Sequence, residues 1–211
     1  MKKNNYLKKS YDYEGRFGSY WHQINEIFTL VNPGQTILEV GPGNNFMSHY
    51  VSQRNIGVET LDIITETNPT YVGDVTQIPC KENQFDCVCA FQVLEHQPFE
   101  LLQPSLIEML RVSKQYLLFS VPDVRWFLSL DLRIFSSRNA IRQIVSFPRL
   151  TNRVLKVPQS AKDHHWEIGR PGCSLATILR EIAAVESLQL QNHYRVPSNP
   201  IHHLFVISKK V

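Results

Sequence analysis

The sequence predicts an α/β fold: a doubly wound sheet, mostly parallel, with helices on both faces and an antiparallel closing strand at one edge. Three observations predict it. Apolar runs of strand length alternate with segments of helical spacing through the first two thirds of the chain, as in parallel strands joined by crossover helices. The first run, Thr36-Ile37-Leu38-Glu39-Val40, passes into Gly41-Pro42-Gly43-Asn44-Asn45 and then a helical segment from Phe46. A strand, a glycine-bearing turn and a helix in that order form the ligand-binding corner of such sheets. Third, Phe85 to Phe91 is almost wholly apolar, as a strand covered on both faces must be.

Taken in order, residues 1–17 are polar with scattered aromatics and read as an arm that can fold over a site. Trp21, Ile24, Phe28 and Val31 have helical spacing, so a helix over 18–31 is expected, stopped by Asn32-Pro33-Gly34. Residues 1–31 thus form an N-terminal arm and helix. After the first strand and its turn comes a helix to about Arg54. Gly57 to Ile64 reads as the second strand, with Asp62 at its end, and Thr70 to Val72 as a short third, followed by Gly73-Asp74. The fourth strand is Phe85–Phe91. A helix over about 100–111 carries Leu102, Leu106, Met109 and Leu110 on one side, and the fifth strand, Gln115 to Val121, is closed by Pro122. Residues 123–165 break the rhythm and read as a partly helical lid or substrate-binding insertion. Ser174 is placed to cap a helix with apolar positions Leu175, Ile178, Leu179 and Ile182. Leu188 to Tyr194 and His203 to Ser208 read as the antiparallel edge pair.

The whole chain, 1–211, is expected to be one domain: 211 residues, 43% hydrophobic and 19% charged, suffice for a single core and exclude a disordered chain. No apolar run approaches the ~20 residues of a membrane span. The basic start, Met1 to Lys9, leads into no apolar stretch, so no signal peptide is read and a cytoplasmic location is expected. Cys80, Cys87, Cys89 and Cys173 lack any Cys-x-x-Cys spacing and read as buried thiols. From Arg125 to Lys162 eight basic residues face one acid, Asp131. That is a solvated basic face or a sign of an anionic small-molecule acceptor nearby; nucleic acid is not expected, because basic and aromatic residues are not interleaved as single strands require.

In sheets of this kind ligands lie across the carboxyl ends of the strands. Three of those ends carry an acid: Glu39, Asp62 and Asp74. Asp62 falls 23 residues after Glu39, near the ~20 at which an acid meets ribose hydroxyls. Acids also collect at polar strand ends for no functional reason, but here they fall in register with the glycine turn. A nicotinamide-binding Gly-x-Gly-x-x-Gly pattern fails, since Phe46 stands where the third glycine belongs.

The ordered set Glu39-Val40-Gly41-Pro42-Gly43, Asp62, Gly73-Asp74-Val75-Thr76-Gln77-Ile78-Pro79 and Phe85-Asp86-Cys87-Val88 through Gln92-Val93-Leu94-Glu95-His96 resembles the motifs of class I S-adenosylmethionine-dependent methyltransferases. The similarity is greatest to the small-molecule, type 11-like branch, and it covers roughly residues 34–122. It implies a Rossmann-like fold with S-adenosyl-L-methionine as cofactor. It further implies that Gly41, Pro42 and Gly43 wrap the methionine part, with Glu39 reaching its amine directly or through water. Asp62 would hold the ribose, Ile63 pack on the adenine, Asp74 and the Val75 amide read the adenine edge, and Gln92 lie beside the methionine chain. Asn45 replaces a customary third glycine, and asparagine tolerates left-handed φ.

Methyl transfer from a sulfonium is an in-line displacement that needs alignment and, for a hydroxyl acceptor, a base. His96, just past the fourth strand, is one candidate, although the Leu-Glu-His of this branch often has a structural role. Asp163-His164-His165-Trp166-Glu167 is the densest reactive cluster, so His165 and His164 are the other candidates. No metal is expected there, because the spacing of His164, His165 and Glu167 does not make a helical ligand face. His202 and His203 read as structural or exposed, and Tyr11, Tyr13 and Tyr20 as residues that either close over the cofactor or pack in the fold. The expected activity is methyl transfer to an oxygen or nitrogen of a small-molecule or glycan-like acceptor. The alternative is a non-catalytic S-adenosylmethionine-binding or scaffold protein of the same fold.

Overall fold

The computed structural model describes residues 13–132, 141–147 and 163–210. Thirteen elements follow one another: α1 (Glu14–Leu30), β1 (Thr36–Val40), α2 (Phe46–Ser52), β2 (Gly57–Asp62), β3 (Tyr71–Val72), β4 (Phe85–Phe91), α3 (Leu102–Val112), β5 (Ser113–Pro122), β6 (Trp126–Leu132), β7 (Ile141–Phe147), α4 (Leu175–Ala184), β8 (Leu188–Arg195) and β9 (His202–Lys209). Seven strands form one sheet in the order β3-β2-β1-β4-β5-β9-β8. The first five are parallel, and β9 and β8 complete the edge in antiparallel fashion. The chain reverses direction of travel across the sheet between β1 and β4, which is where such folds open a crevice.

Alternation along the strands sorts the core into two layers. Ile37, Cys87, Cys89 and Leu118 face α1 and α2, packing with Ile24, Ile27, Met47 and Val51. Leu38, Val40, Val88, Ala90 and Leu117 face α3 and α4, packing with Leu106, Met109, Ile178 and Ile182. A side-chain period of two makes this division obligatory once both faces are covered. Both strand-four thiols are therefore buried as expected, as is Cys173, while Cys80 is only half-buried. Ser174 caps α4 by accepting from the Thr177 amide at 3.0 Å.

Two expectations change. α1 begins at Glu14, and its buried stripe runs through Gln23, Ile24 and Ile27, leaving Trp21 62% exposed. The helix turns its indole outward because Trp21 sits on the flank of that stripe. Within 123–165 the described residues are not helical: β6 and β7 pair antiparallel as a separate two-stranded ribbon. The arm residue Tyr11, and residues 133–140 and 148–162 of the insertion with most of its basic side chains (Arg133, Arg138, Arg149, Arg153, Lys156 and Lys162), lie outside the described residues. Among the described residues, no helix is long and apolar enough to cross a membrane.

Candidate active site

A cavity of about 1220 Å³ opens over the carboxyl ends of the parallel strands. Its floor is the turn after β1. Gly41 and Gly43 have φ of +66° and +57°, and Asn45, with φ of +60°, is left-handed as its side chain permits. The Gly41 amide donates to the Leu61 carbonyl at 2.8 Å, tying the turn to β2. A Cβ at Gly41 would lie 2.5 Å from a Val93 methyl, so the site requires glycine for space as well as for conformation. Gly41 and Gly43 line the cavity, whereas buried Pro42 and Asn45 shape the turn from behind. Asn45 does so by donating to the Thr67 carbonyl at 3.3 Å.

Glu39 is not in the cavity wall. It is buried behind the turn, where its carboxylate accepts from the Ser48 hydroxyl of α2, and burial pushes its pKa up to about 8. Direct contact with a ligand amine, one of the two arrangements the motif implies, is not what this placement provides.

The next two acids do face the cavity. Asp62 is aimed by its own turn: Oδ1 accepts from the Ile64 amide at 2.9 Å and Oδ2 from the Thr67 hydroxyl at 3.1 Å. Each carboxylate oxygen can take a further donor. Ile63 beside it is 67% exposed, an apolar surface presented to the cavity. Asp74 accepts from the Thr76 amide at 2.8 Å and from Gln97 Nε2 at 3.2 Å, and the neighbouring Val75 is buried against the same wall.

Gln92 ends β4 with φ of +58°, a strained conformation for a residue with a side chain. It is held by its amide on the Ser120 carbonyl at 2.9 Å and by Nε2 on the Ser120 hydroxyl at 3.1 Å. Strain of this kind, of order 1–3 kcal/mol, collects at functional sites.

All three candidate histidines reach the opposite wall. His96 and His164 meet edge to face, 4.8 Å between ring centres. His165 is exposed to the cavity, and its amide donates to the Glu95 carbonyl at 2.8 Å, joining the returning segment to the end of β4. Burial lowers the pKa of His96, and nearby His164 lowers it further, so the ring is neutral at pH 7. His164 Nδ1 lies 2.9 Å from Glu167 Oε1.

Several residues here escape a sequence reading. Glu95 is fully buried, and among the described residues neither carboxylate oxygen meets a hydrogen-bond partner. Asp123 is held by Arg125, Arg195 and His203. His202 also lines the cavity while bonded to Ser19, and burial drives its pKa down to about 3. Tyr13 lines the cavity, but Tyr20 stacks on Phe46 with ring centres 4.7 Å apart and belongs to the core. Trp126, Phe127 and Phe147 of the ribbon complete an aromatic wall.

Residues 13–208 match the family described as "Methyltransferase domain". The chain belongs to that family. The methyltransferase assignment and the S-adenosylmethionine donor implied by the motifs stand with it, as does the mostly parallel Rossmann-like sheet. Solved methyltransferases share the fold at low identity. Magnesium protoporphyrin IX methyltransferase from Synechocystis, with bound S-adenosylhomocysteine, is 15% identical with a TM-score of 0.63, over 93% of this chain and 84% of that one. A methyltransferase from Aquifex aeolicus is 15% identical with a TM-score of 0.62 over 99% of both chains. The Burkholderia thailandensis 1,6-didemethyltoxoflavin-N1-methyltransferase is 16% identical with a TM-score of 0.52, over 94% of this chain and 87% of that one. A search of curated proteins found no matching relative.

Proposed function

We propose that this methyltransferase acts on an oxygen or nitrogen of a small-molecule or glycan-like acceptor, held against the aromatic wall of the cavity. The carrying observation is that one cavity joins two aimed carboxylates, Asp62 and Asp74, to three histidines on its far side. The adenosyl half of the donor lies along the β1–β3 ends. There Asp62 accepts from the ribose diol, Ile63 covers the adenine, and Asp74 with the Val75 amide meets its polar edge. Gly41 and Gly43 admit the methionine part, and Gln92 borders it. Glu39 contributes from behind the turn by holding α2 through Ser48.

The acceptor lone pair attacks the methyl carbon as the carbon–sulfur bond breaks, leaving S-adenosylhomocysteine. Position is most of the protein's work here. A hydroxyl acceptor would give its proton to an imidazole nitrogen, and His165, exposed to the cavity, has the access. His96 and His164 are held by other groups, which suits them better to shaping the wall. Acceptor anionicity finds support in the insertion's basic sequence. The insertion as lid is supported by Trp126, Phe127 and Phe147 in the wall.

The test is methyl uptake from labelled S-adenosylmethionine across a panel of phenols, amines, carboxylates and sugars, read by mass spectrometry. A product of one added methyl with at least one class supports the reading. Tight S-adenosylhomocysteine binding with no acceptor methylated favours the non-catalytic alternative.

A further inference from the structure

We infer that Glu95, His96 and His164 form a binding site for a single divalent transition-metal ion of the zinc class, opening on the acceptor half of the cavity. Each residue places one ligand atom so that the three lie within 4.8 Å of one another. Two imidazoles and one carboxylate with a fourth position open is a common catalytic zinc set.

Four features of the cluster support an ion. Glu95 is 0% exposed, and among the described residues both its oxygens lack a hydrogen-bond partner. A buried polar group in that condition carries an uncompensated desolvation penalty and calls for an explanation. The second feature is the tautomer of each ring. His96 Nδ1 lies 3.2 Å from the Asp163 carbonyl, which can only accept, so Nδ1 carries the proton and Nε2 has the lone pair. His164 Nδ1 lies 2.9 Å from Glu167 Oε1. Glu167 is itself oriented by Arg170 at 2.8 Å, and its oxygen accepts from that ring nitrogen, which leaves Nε2 with the lone pair. Metal-binding imidazoles commonly have their far nitrogen anchored on a carboxylate or carbonyl in this way. The third is spacing. His164 Nε2 and Glu95 Oε1 are 3.9 Å apart, too far for a hydrogen bond. Two ligands on a tetrahedral zinc with bonds of ~2.0–2.1 Å stand about 3.3 Å apart, so an ion between them would draw the pair together by about half an ångström. The fourth is access: His96 and His164 line the cavity, and an acceptor oxygen or water can take the open position. There the ion would lower the pKa of a bound hydroxyl.

This deepens the methyl-transfer reading at its acceptor side, yet the test does not depend on turnover. Untagged protein is stripped with a chelator, dialysed and titrated with Co2+ by visible absorption and with Zn2+ by calorimetry. S-adenosylhomocysteine affinity is measured on the same metal-free and zinc-loaded samples. The expected result is one ion per chain, with intense visible bands of low-coordinate cobalt. Zinc affinity should fall at least 100-fold in Glu95→Gln and His164→Ala. In Glu167→Gln, which keeps all three ligands, it should fall about 10–100-fold with unchanged stoichiometry. Circular dichroism of each variant checks the fold, and Glu167→Gln keeps the proposal testable should a ligand variant not fold. Absence of stoichiometric cobalt binding, or wild-type zinc affinity in Glu167→Gln and in the folded ligand variants, overturns the site. Loss of S-adenosylhomocysteine binding alone would count against the cofactor reading and leave the metal result standing.

Discussion

Two carboxylates lie fully buried just past adjacent strands, and their surroundings are opposite. Asp123, after β5, is ringed by donors: the guanidinium groups of Arg125 at 2.6 Å and of Arg195 at close hydrogen-bonding range, and the His203 imidazole at 3.1 Å. Burial alone would raise its pKa, but the hydrogen bonds from His203, Arg125 and Arg195 prevail and hold it well below the carboxylate range. Glu95, after β4, has no hydrogen-bonding side chain on either oxygen among the described residues, His164 standing off at 3.9 Å; burial raises its pKa well above the ordinary value, against the pull of its own backbone amide, with Glu167 and Asp163 adding to the rise. In the first region both oxygens of the acid are partnered, and the cluster ties β5, β8 and β9 together. The second lacks a hydrogen-bond partner on either oxygen among the described residues, and it adjoins His96 and His164, which line the cavity. Similar burial next to the same cavity therefore yields a structural anchor in one place and a candidate ligand in the other.

The sharpest way to break that contrast is to remove each acid. Asp123→Ala strands Arg195, whose side chain is only 4% exposed, and should cost about 3–5 kcal/mol in urea unfolding, the usual penalty for breaking a buried pair. Glu95→Gln in metal-free protein strands nothing and should change stability by less than about 1 kcal/mol. Equal losses in the two variants would erase the distinction.

A smaller effect sharpens it through pH. Asp123 has a depressed folded pKa, so its contribution is present above the unfolded value near 3.9 and is lost as pH falls below it. Glu39, raised to about 8, has the opposite sign. Between its unfolded value of about 4.5 and 8 the folded state holds the extra proton, so stability falls as pH rises through that window, by up to ~1.4 kcal/mol per pH unit. Glu39→Gln should flatten this slope between pH 5 and 8 in denaturant titrations, whereas Asp123→Asn should flatten only the acid limb.

The contrast also explains what could be read from the sequence. The cavity wall at the β1–β3 ends was legible because its parts are local: a strand, a turn and an acid at each tip fall within short stretches, as at Gly41, Asp62 and Asp74. Alternation and helical spacing likewise gave most of the sheet. The acceptor side was not legible in that way. Asp123 meets partners 72 and 80 residues away, and His96 meets Asp163 across 67, so no spacing rule could pair them. Glu95 stood inside a recognised motif, but the absence of any partner for it is a property of the packed fold alone. The ribbon was misread because Trp126-Phe127-Leu128 is a continuous apolar run, which carries neither period clearly. Glu39 reads from sequence as an acceptor at the carboxyl end of the first strand, beside the crevice; that it lies behind the turn depends on which helix covers that strand end, which spacing does not show.

The central claim is that Asp62, aimed by Ile64 and Thr67, grips the sugar of an adenosyl ligand lying over Gly41. Calorimetric titration of S-adenosylhomocysteine into the wild type and Asp62→Ala tests it most directly. The account predicts one site per wild-type chain and an affinity about 10–100-fold weaker in the variant, the loss of charged hydrogen bonds worth ~1.5–3 kcal/mol, with the fold unchanged by circular dichroism. Equal affinity in the two proteins would contradict it.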